Sequence, residues 1–332
     1  MYPKKYKVTG IGNAIVDILA NVEDDFLKEH NLTKGTMKIV NESDIEKLCS
    51  CIKTLKKVSG GSAANTIAAL SSLGNPVAFI GRVGDDEHGR LFEEDLKNIG
   101  VEYCATKTDS ARSGPTACCV VLITPDAQRT MNTFPGISSF LSPGNIDEYV
   151  ISQSEIIYLE GYLMDSREAK KSFEKAIKIT LKTRGKVSLS LSDSFCVKRH
   201  RNELMDLVKN NIDILFANEE EIKSLFKAEN LDAALNNCTG LKNTCIITRA
   251  GEGSIVVSDG KVNIIPPEKN VRVVDTTGAG DLYAAGFLHG YVRGMNPEMC
   301  GRIGSIIAAE IISQHGARLE TSFDSLIERI SF

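Results

Sequence analysis

The densest chemistry in this chain lies in Val274-Asp275-Thr276-Thr277-Gly278-Ala279-Gly280-Asp281. The run Asn270 to Val274 reads as a strand leading in, and the apolar stretch Leu282 to Val292 as a helix leading out. A Gly-rich turn therefore opens a helix. Backbone N–H groups at a helix start lack intrahelical partners and attract anions. Gly278 and Gly280 carry no Cβ, so the backbone there can curl around a phosphate. Asp281 is an odd neighbour for such a cradle, because its charge repels a phosphate. It makes sense as a base that takes a proton from a nucleophilic hydroxyl while the cradle holds the transferring phosphoryl group.

A second glycine-led helix start is Gly60-Gly61-Ser62-Ala63-Ala64-Asn65, followed by Gly74 and by Ile80-Gly81-Arg82-Val83-Gly84-Asp85. A Gly pair lets a bound molecule lie directly on the backbone, and Asn65 offers donors and acceptors to hydroxyl groups. In this order the two motifs resemble the two signatures of the PfkB/ribokinase family of sugar and nucleoside kinases. The resemblance covers essentially the whole chain. It implies a ribokinase-like three-layer α/β fold with a small β-sheet lid, ATP as phosphoryl donor and Mg²⁺ as cofactor. It makes Gly278, Ala279 and Gly280 the anion hole and Asp281 the catalytic base. A Walker P-loop and the protein-kinase signatures are both missing from the sequence.

Further sites follow the same resemblance. In Gly12-Asn13-Ala14-Ile15-Val16-Asp17, a carboxylate after a strand can accept two hydrogen bonds from a vicinal diol. The resemblance makes Asp17 the sugar-hydroxyl ligand, with Asn13, Gly60, Gly61 and Asn65 beside it. The Asn218-x-x-Glu221 spacing puts both side chains on one face of a helix start. The family uses that motif near the triphosphate and a water-coordinated Mg²⁺, which makes Asn218 an ATP contact and Glu221 a metal contact through water. Thr248 and Gly253 would meet the nucleotide, as would Thr277 and Gly280. Ala250 stands where the family commonly has Gly. Ser313-Gln314-His315-Gly316-Ala317 resembles the adenine-side loop, which adds His315 and Gly316. A monovalent cation such as K⁺ stays open as a further cofactor.

The acceptor is read from aromatic residues. Gly10 to Ile18 and Tyr158-Leu159-Glu160-Gly161-Tyr162-Leu163 look like the adenosine-kinase branch, where the ring after Gly stacks on the purine. Ser190 to Phe195 is similar to a branch segment whose Phe closes on the base. Such a platform is worth roughly 1–3 kcal/mol per base. Tyr162 and Phe195 therefore join the substrate set, and the 5′-OH of adenosine is the expected acceptor, giving AMP. The alternative is a sugar kinase of the fructokinase or ribokinase type, since the lid around Arg129–Ser139 departs from animal-type adenosine kinases. A non-catalytic nucleoside-binding regulator would need neither Asp281 nor the paired glycines. A dinucleotide oxidoreductase is excluded, because no Gly-x-Gly-x-x-Gly follows the first strand.

These side chains need a frame to hold them. Strand-like and helix-like segments alternate through the chain with short loops, which implies a parallel sheet covered by helices on both faces. Ile15–Val22 and the hairpin Thr116–Ile123/Arg129–Phe134 alternate in polarity. They fit a separate small sheet with one polar face. The expectation is one kinase domain over 1–332, with the lid built from segments near 13–43 and 103–135.

Composition agrees. Of 332 residues, 42% are hydrophobic and 25% charged, as in a globular chain. A net charge of −4 without a Lys/Arg block gives no sign of a nucleic-acid partner. No apolar run reaches the ~18–20 residues of a membrane span, and Met1 to Tyr6 lacks a signal-peptide core. The nine cysteines have no zinc-finger spacing, and the close pairs Cys49/Cys51 and Cys118/Cys119 read as reduced thiols. The expectation is a cytoplasmic enzyme acting on small molecules, as a monomer or a homodimer through the lid.

Overall fold

The computed structural model describes residues 3–104, 114–126, 128–319 and 325. Parts of the expected lid segment 103–135 and of the expected 1–332 domain lie outside those residues. The larger sheet runs in the spatial order β14 (Lys261–Ile265), β13 (Ser254–Ser258), β12 (Thr244–Thr248), β11 (Ile214–Asn218), β10 (Lys186–Ser190), β9 (Ser154–Glu160), β1 (Tyr6–Ile11), β5 (Val77–Ile80), β6 (Glu102–Tyr103). From β12 through β6 every pairing is parallel; β13 and β14 complete the sheet antiparallel. The strands alternate sides. Ile156 and Tyr158 of β9 enter one apolar core, while Ile157 and Leu159 enter the other. A sheet buried on both faces is the ribokinase-like α/β architecture.

After β1 the chain adds β5 on one side, then β9 on the other. The ends of β1 and β9 therefore flank a topological switch point, where open α/β sheets bind ligands. Two further elements aim at this crevice. Helix Ser62–Ser72 follows the Gly60-Gly61 turn, and helix Ala279–Tyr291 follows the Gly278 turn. The two helices pack on each other. Helix Pro297–Ile311 supports the second of them closely: a Cβ on Gly286 would stand 2.8 Å from the Gly304 Cα.

The smaller sheet runs β3 (Met37–Ile39), β8 (Arg129–Phe134), β7 (Ala117–Ile123), β2 (Ile15–Asn21), β4 (Lys56–Gly60). β7 and β8 form the expected antiparallel hairpin. Two expectations are corrected here. The strand β4 lies outside the 13–43 segment yet pairs with β2, because it leads straight into the Gly60-Gly61 turn. The lid faces are also drier than the alternation implied, and every residue of β7 is buried. Helices Glu42–Cys51 and Glu87–Asn98 touch lid strands, while Leu19, Cys119, Val121 and Ile123 make a small apolar cluster of their own.

A third correction concerns Asn270–Val274, which is not a strand. Its end is tied instead to the helix Pro297–Ile311 region, with the Val274 and Asp275 N–H groups donating to the Ile312 carbonyl. All nine cysteines are free thiols. Among the described residues no helix is long and apolar enough to cross a membrane.

Candidate active site

Asp281 lies in the first turn of helix Ala279–Tyr291, capped by Gly278 at φ 73°. That left-handed value favours glycine, and a Cβ there would also meet the Ala317 Cβ at 2.7 Å. At Gly280 a Cβ would meet no atom within 4 Å. The space before this helix start is open, as an anion cradle requires. The Asp281 carboxylate is held on both oxygens: Ser62 Oγ donates to Oδ1 at 2.6 Å and Asn65 Nδ2 to Oδ2 at 2.9 Å. Asp281 keeps some contact with solvent, but the protein packed around it raises its pKa, and the two donors pull it back down. A carboxylate so balanced can accept a proton.

Asp17 on β2 is buried, and burial pushes its pKa up to about 7, opposed by the nearby charge of Arg318. Gly60 makes room for this carboxylate, and Gly61 makes room for the Asn13 backbone. A Cβ on Gly60 would stand 2.2 Å from Asp17 Oδ2, and one on Gly61 would stand 2.3 Å from the Asn13 carbonyl oxygen. Gly61 also sits at φ 91°.

Asn13 and Asn65 are engaged within the protein. Asn13 Nδ2 donates to Glu160 Oε1 at 2.7 Å, and Asn65 bridges Asp281 and Arg318. Glu160, at the end of β9, was not expected as a site residue. Its other oxygen accepts from the Ala63 N–H at 2.9 Å. It thereby supplies the cap that Gly61 cannot give helix Ser62–Ser72. Burial raises Glu160 to about 7. The signal that could have found it is its place at the strand end beside the switch point.

Asp275 is a second unexpected hub. Its carboxylate accepts from the Thr277 N–H and Oγ1 (2.8 and 2.6 Å), from the Gly316 N–H at 2.8 Å and from Arg129 Nε at 2.8 Å. The Arg129 guanidinium comes from lid strand β8 and also donates to Thr276 and Thr277. The smaller sheet is thus tied to the turn that precedes helix Ala279–Tyr291. Thr277 points its hydroxyl into this contact. Gly316, at φ 82°, is buried while His315 is exposed.

Asn218 and Glu221 form a reciprocal cap on helix Glu219–Phe226, with both Glu221 oxygens accepting from Asn218. Burial lifts Glu221 to about 7. Among the described residues no three His, Cys, Asp or Glu side chains converge on a metal position. Both Glu221 oxygens already accept from Asn218, which suits contact with a hydrated Mg²⁺ through water rather than direct ligation. Thr248 ends β12 half-buried. Gly253, at φ 84°, is required by the backbone, since a Cβ would stand 2.2 Å from the Ile265 carbonyl oxygen. Ala250 is left-handed at φ 47°, which is the reason glycine suits that position better.

Tyr162 follows β9 half-buried, its N–H and hydroxyl both directed to Ser192. Phe195 starts helix Ser194–Asn210 and is 68% exposed, with Lys198 Nζ 5.4 Å from its ring centre. The Phe195 ring is therefore open to solvent.

The chain resembles known proteins over nearly its full length. An adenosine kinase structure from Sinorhizobium meliloti is 38% identical with a TM-score of 0.92, covering 98% of this chain and 100% of its own. A probable sugar kinase from Rhizobium etli CFN 42 is 34% identical with a TM-score of 0.92, covering 98% of each chain. A nucleoside kinase from Methanocaldococcus jannaschii is 25% identical over 331 residues, 98% of this chain and 97% of its own length. Residues 39–322 match the pfkB family of carbohydrate kinases, and the chain belongs to that family.

Proposed function

We propose that the protein transfers the γ-phosphoryl group of ATP to the primary hydroxyl of a small acceptor, the 5′-OH of adenosine above all. The observation that carries this reading is the Asp281 carboxylate, gripped by Ser62 and Asn65, one residue beyond the open space at Gly280. Asp281 takes the hydroxyl proton. The N–H groups of Gly278 to Gly280 face the charge that develops on the transferring phosphoryl group. Asp17 grips the acceptor diol, and Asn13, Gly61 and Glu160 hold that corner in place. Asn218, Thr248, Gly253, Thr277, His315 and Gly316 mark the nucleotide side. Mg²⁺, with Glu221 reached through water, would supply charge neutralisation on the phosphates. The Arg129 latch closes the lid, which keeps water from competing as acceptor.

Likeness to the Sinorhizobium adenosine kinase supports a nucleoside acceptor, as does Tyr162 at the crevice. A sugar acceptor is the second reading. It is favoured by the open Phe195 side and by likeness to the Rhizobium sugar kinase. A homodimer through the lid is supported by Met37 and Ile39, exposed on edge strand β3. An ADP-release assay with adenosine, other nucleosides, ribose and fructose, with and without K⁺, decides. Turnover of fructose with none of adenosine would move the reading to a sugar kinase.

A further inference from the structure

Arg318 belongs to none of the motifs above, yet its guanidinium sits where the two acidic ends of the site meet the lid. Its NH1 donates to Asn65 Oδ1 and its NH2 to Ser59 Oγ at 3.0 Å. Ser59 is on lid strand β4, and its own N–H donates to Asp95 Oδ2 at 2.8 Å. The loop that delivers Arg318 is fixed at its root: the Gly316 N–H is held by Asp275, and Ala317 lies under Gly278. The charged groups facing the guanidinium are Asp17 from β2, Asp95 from helix Glu87–Asn98 and Asp281 from helix Ala279–Tyr291. The buried Nε has no hydrogen-bond partner.

The chemistry of the two side chains gives this contact a direction. An arginine only donates, whereas an asparagine amide can present either its oxygen or its nitrogen. With Arg318 in place, the Asn65 oxygen must turn to the guanidinium, and the NH₂ is left for Asp281. Without Arg318 only the Asp281 carboxylate would hold the amide in that sense, and the Asn65 side chain would lose its second anchor. From these contacts we infer that Arg318 is a positioning residue, which orients Asn65 so that its amide grips the base and ties that grip to the lid through Ser59. The inference rests on the reading of Asp281 as the base. Its charge also opposes the rise that burial imposes on Asp17 and Asp281.

A double-mutant cycle tests this, with kcat measured on whichever acceptor the intact protein turns over. Arg318→Ala should lower kcat by ~10²-fold, the scale of a misplaced reacting group, with the ATP KM little changed. In an Asp281→Asn background the same substitution should cost less than about threefold, because residues acting as a unit are not additive. Arg318→Lys keeps the cation but cannot reach both oxygens. It should restore part of kcat, and it serves as the probe if the Ala variant fails to fold. Millimolar guanidinium should rescue the Ala variant where urea does not. Equal losses in both backgrounds, or a normal kcat for Arg318→Ala, would overturn the inference. An active Asp281→Asn single variant would instead remove the base assignment, and the inference with it.

Discussion

Arg129 on the lid and Asp275 beneath the phosphate turn form an ion pair, Nε to Oδ1 at 2.8 Å, with the Asp275 side chain almost wholly buried. The contact ties the smaller sheet to the loop before helix Ala279–Tyr291, the segment that the proposed function gives to the phosphoryl donor. Arg129→Met would leave the buried carboxylate without its cation, a loss of about 3 kcal/mol at the low end of the range for broken buried pairs. Denaturant unfolding should show that loss, together with a raised KM for ATP. Unchanged unfolding and unchanged KM would mean that the latch matters to neither.

Asp281→Asn keeps the shape of the base and removes its proton acceptor. The expected loss is ~10²–10⁴-fold, mostly in kcat, with acceptor affinity little altered. Wild-type turnover in this variant would refute the assignment.

Gly280→Val places its Cβ in open space, with no neighbouring atom across the fold within 4 Å. Only a bound anion would meet it. The fold should therefore survive while activity and ATP-dependent thermal stabilisation vanish. Normal stabilisation by an ATP analogue would remove the cradle from the account.

Tyr162→Ala and Phe195→Ala should each weaken adenosine by ~1–3 kcal/mol if the rings stack on the base. The smaller effect belongs to Phe195, which stands open to solvent. Ribose should feel these changes less, and Asp17→Ala should weaken both acceptors. Equal losses on adenosine and a sugar would favour the sugar reading.

Asp17 also makes the fold sensitive to pH. Its folded pKa of about 7 lies above the ordinary carboxyl value of 3.8, so folding favours the protonated form. The carboxyl therefore subtracts stability as pH rises from about 4 to about 7, and the full penalty persists above that. Asp17→Asn should raise the melting temperature at about pH 8, and its advantage should shrink by at most about 1.4 kcal/mol per pH unit on acidification. The gain should fade toward about pH 4. A gap that does not change with pH would show that burial is not what perturbs this group.

Much of the frame was legible in the residues. Alternating strand and helix patterns announced the parallel sheet covered on both faces, because buried parallel strands are continuous apolar runs. β4 was missed because Lys56 and Lys57 put a charge on each face at its start and hide the alternation; its pairing with β2 makes it a strand. Helix Glu42–Cys51 was missed although Asn41 caps it by accepting from the Asp44 N–H. Asp281 was found because its motif is local. Glu160, Asp275, Arg129 and Arg318 were not assigned roles, since each acts on partners far along the chain. Asn65 and Asn13 were read as meeting a substrate; the Asn13 amide nitrogen and both polar atoms of the Asn65 amide also have partners within the protein.

The grip on the base spans long stretches of chain: Ser62 and Asp281 are 219 residues apart, and Arg318 and Ser59 are 259 apart. Such contacts form only after costly loop closure, whereas β9 and β10 pair between near neighbours. The machinery is accordingly complete only once residues from both ends of the chain meet. Partial opening of the last two helices would silence phosphoryl transfer while most of the larger sheet stayed zipped.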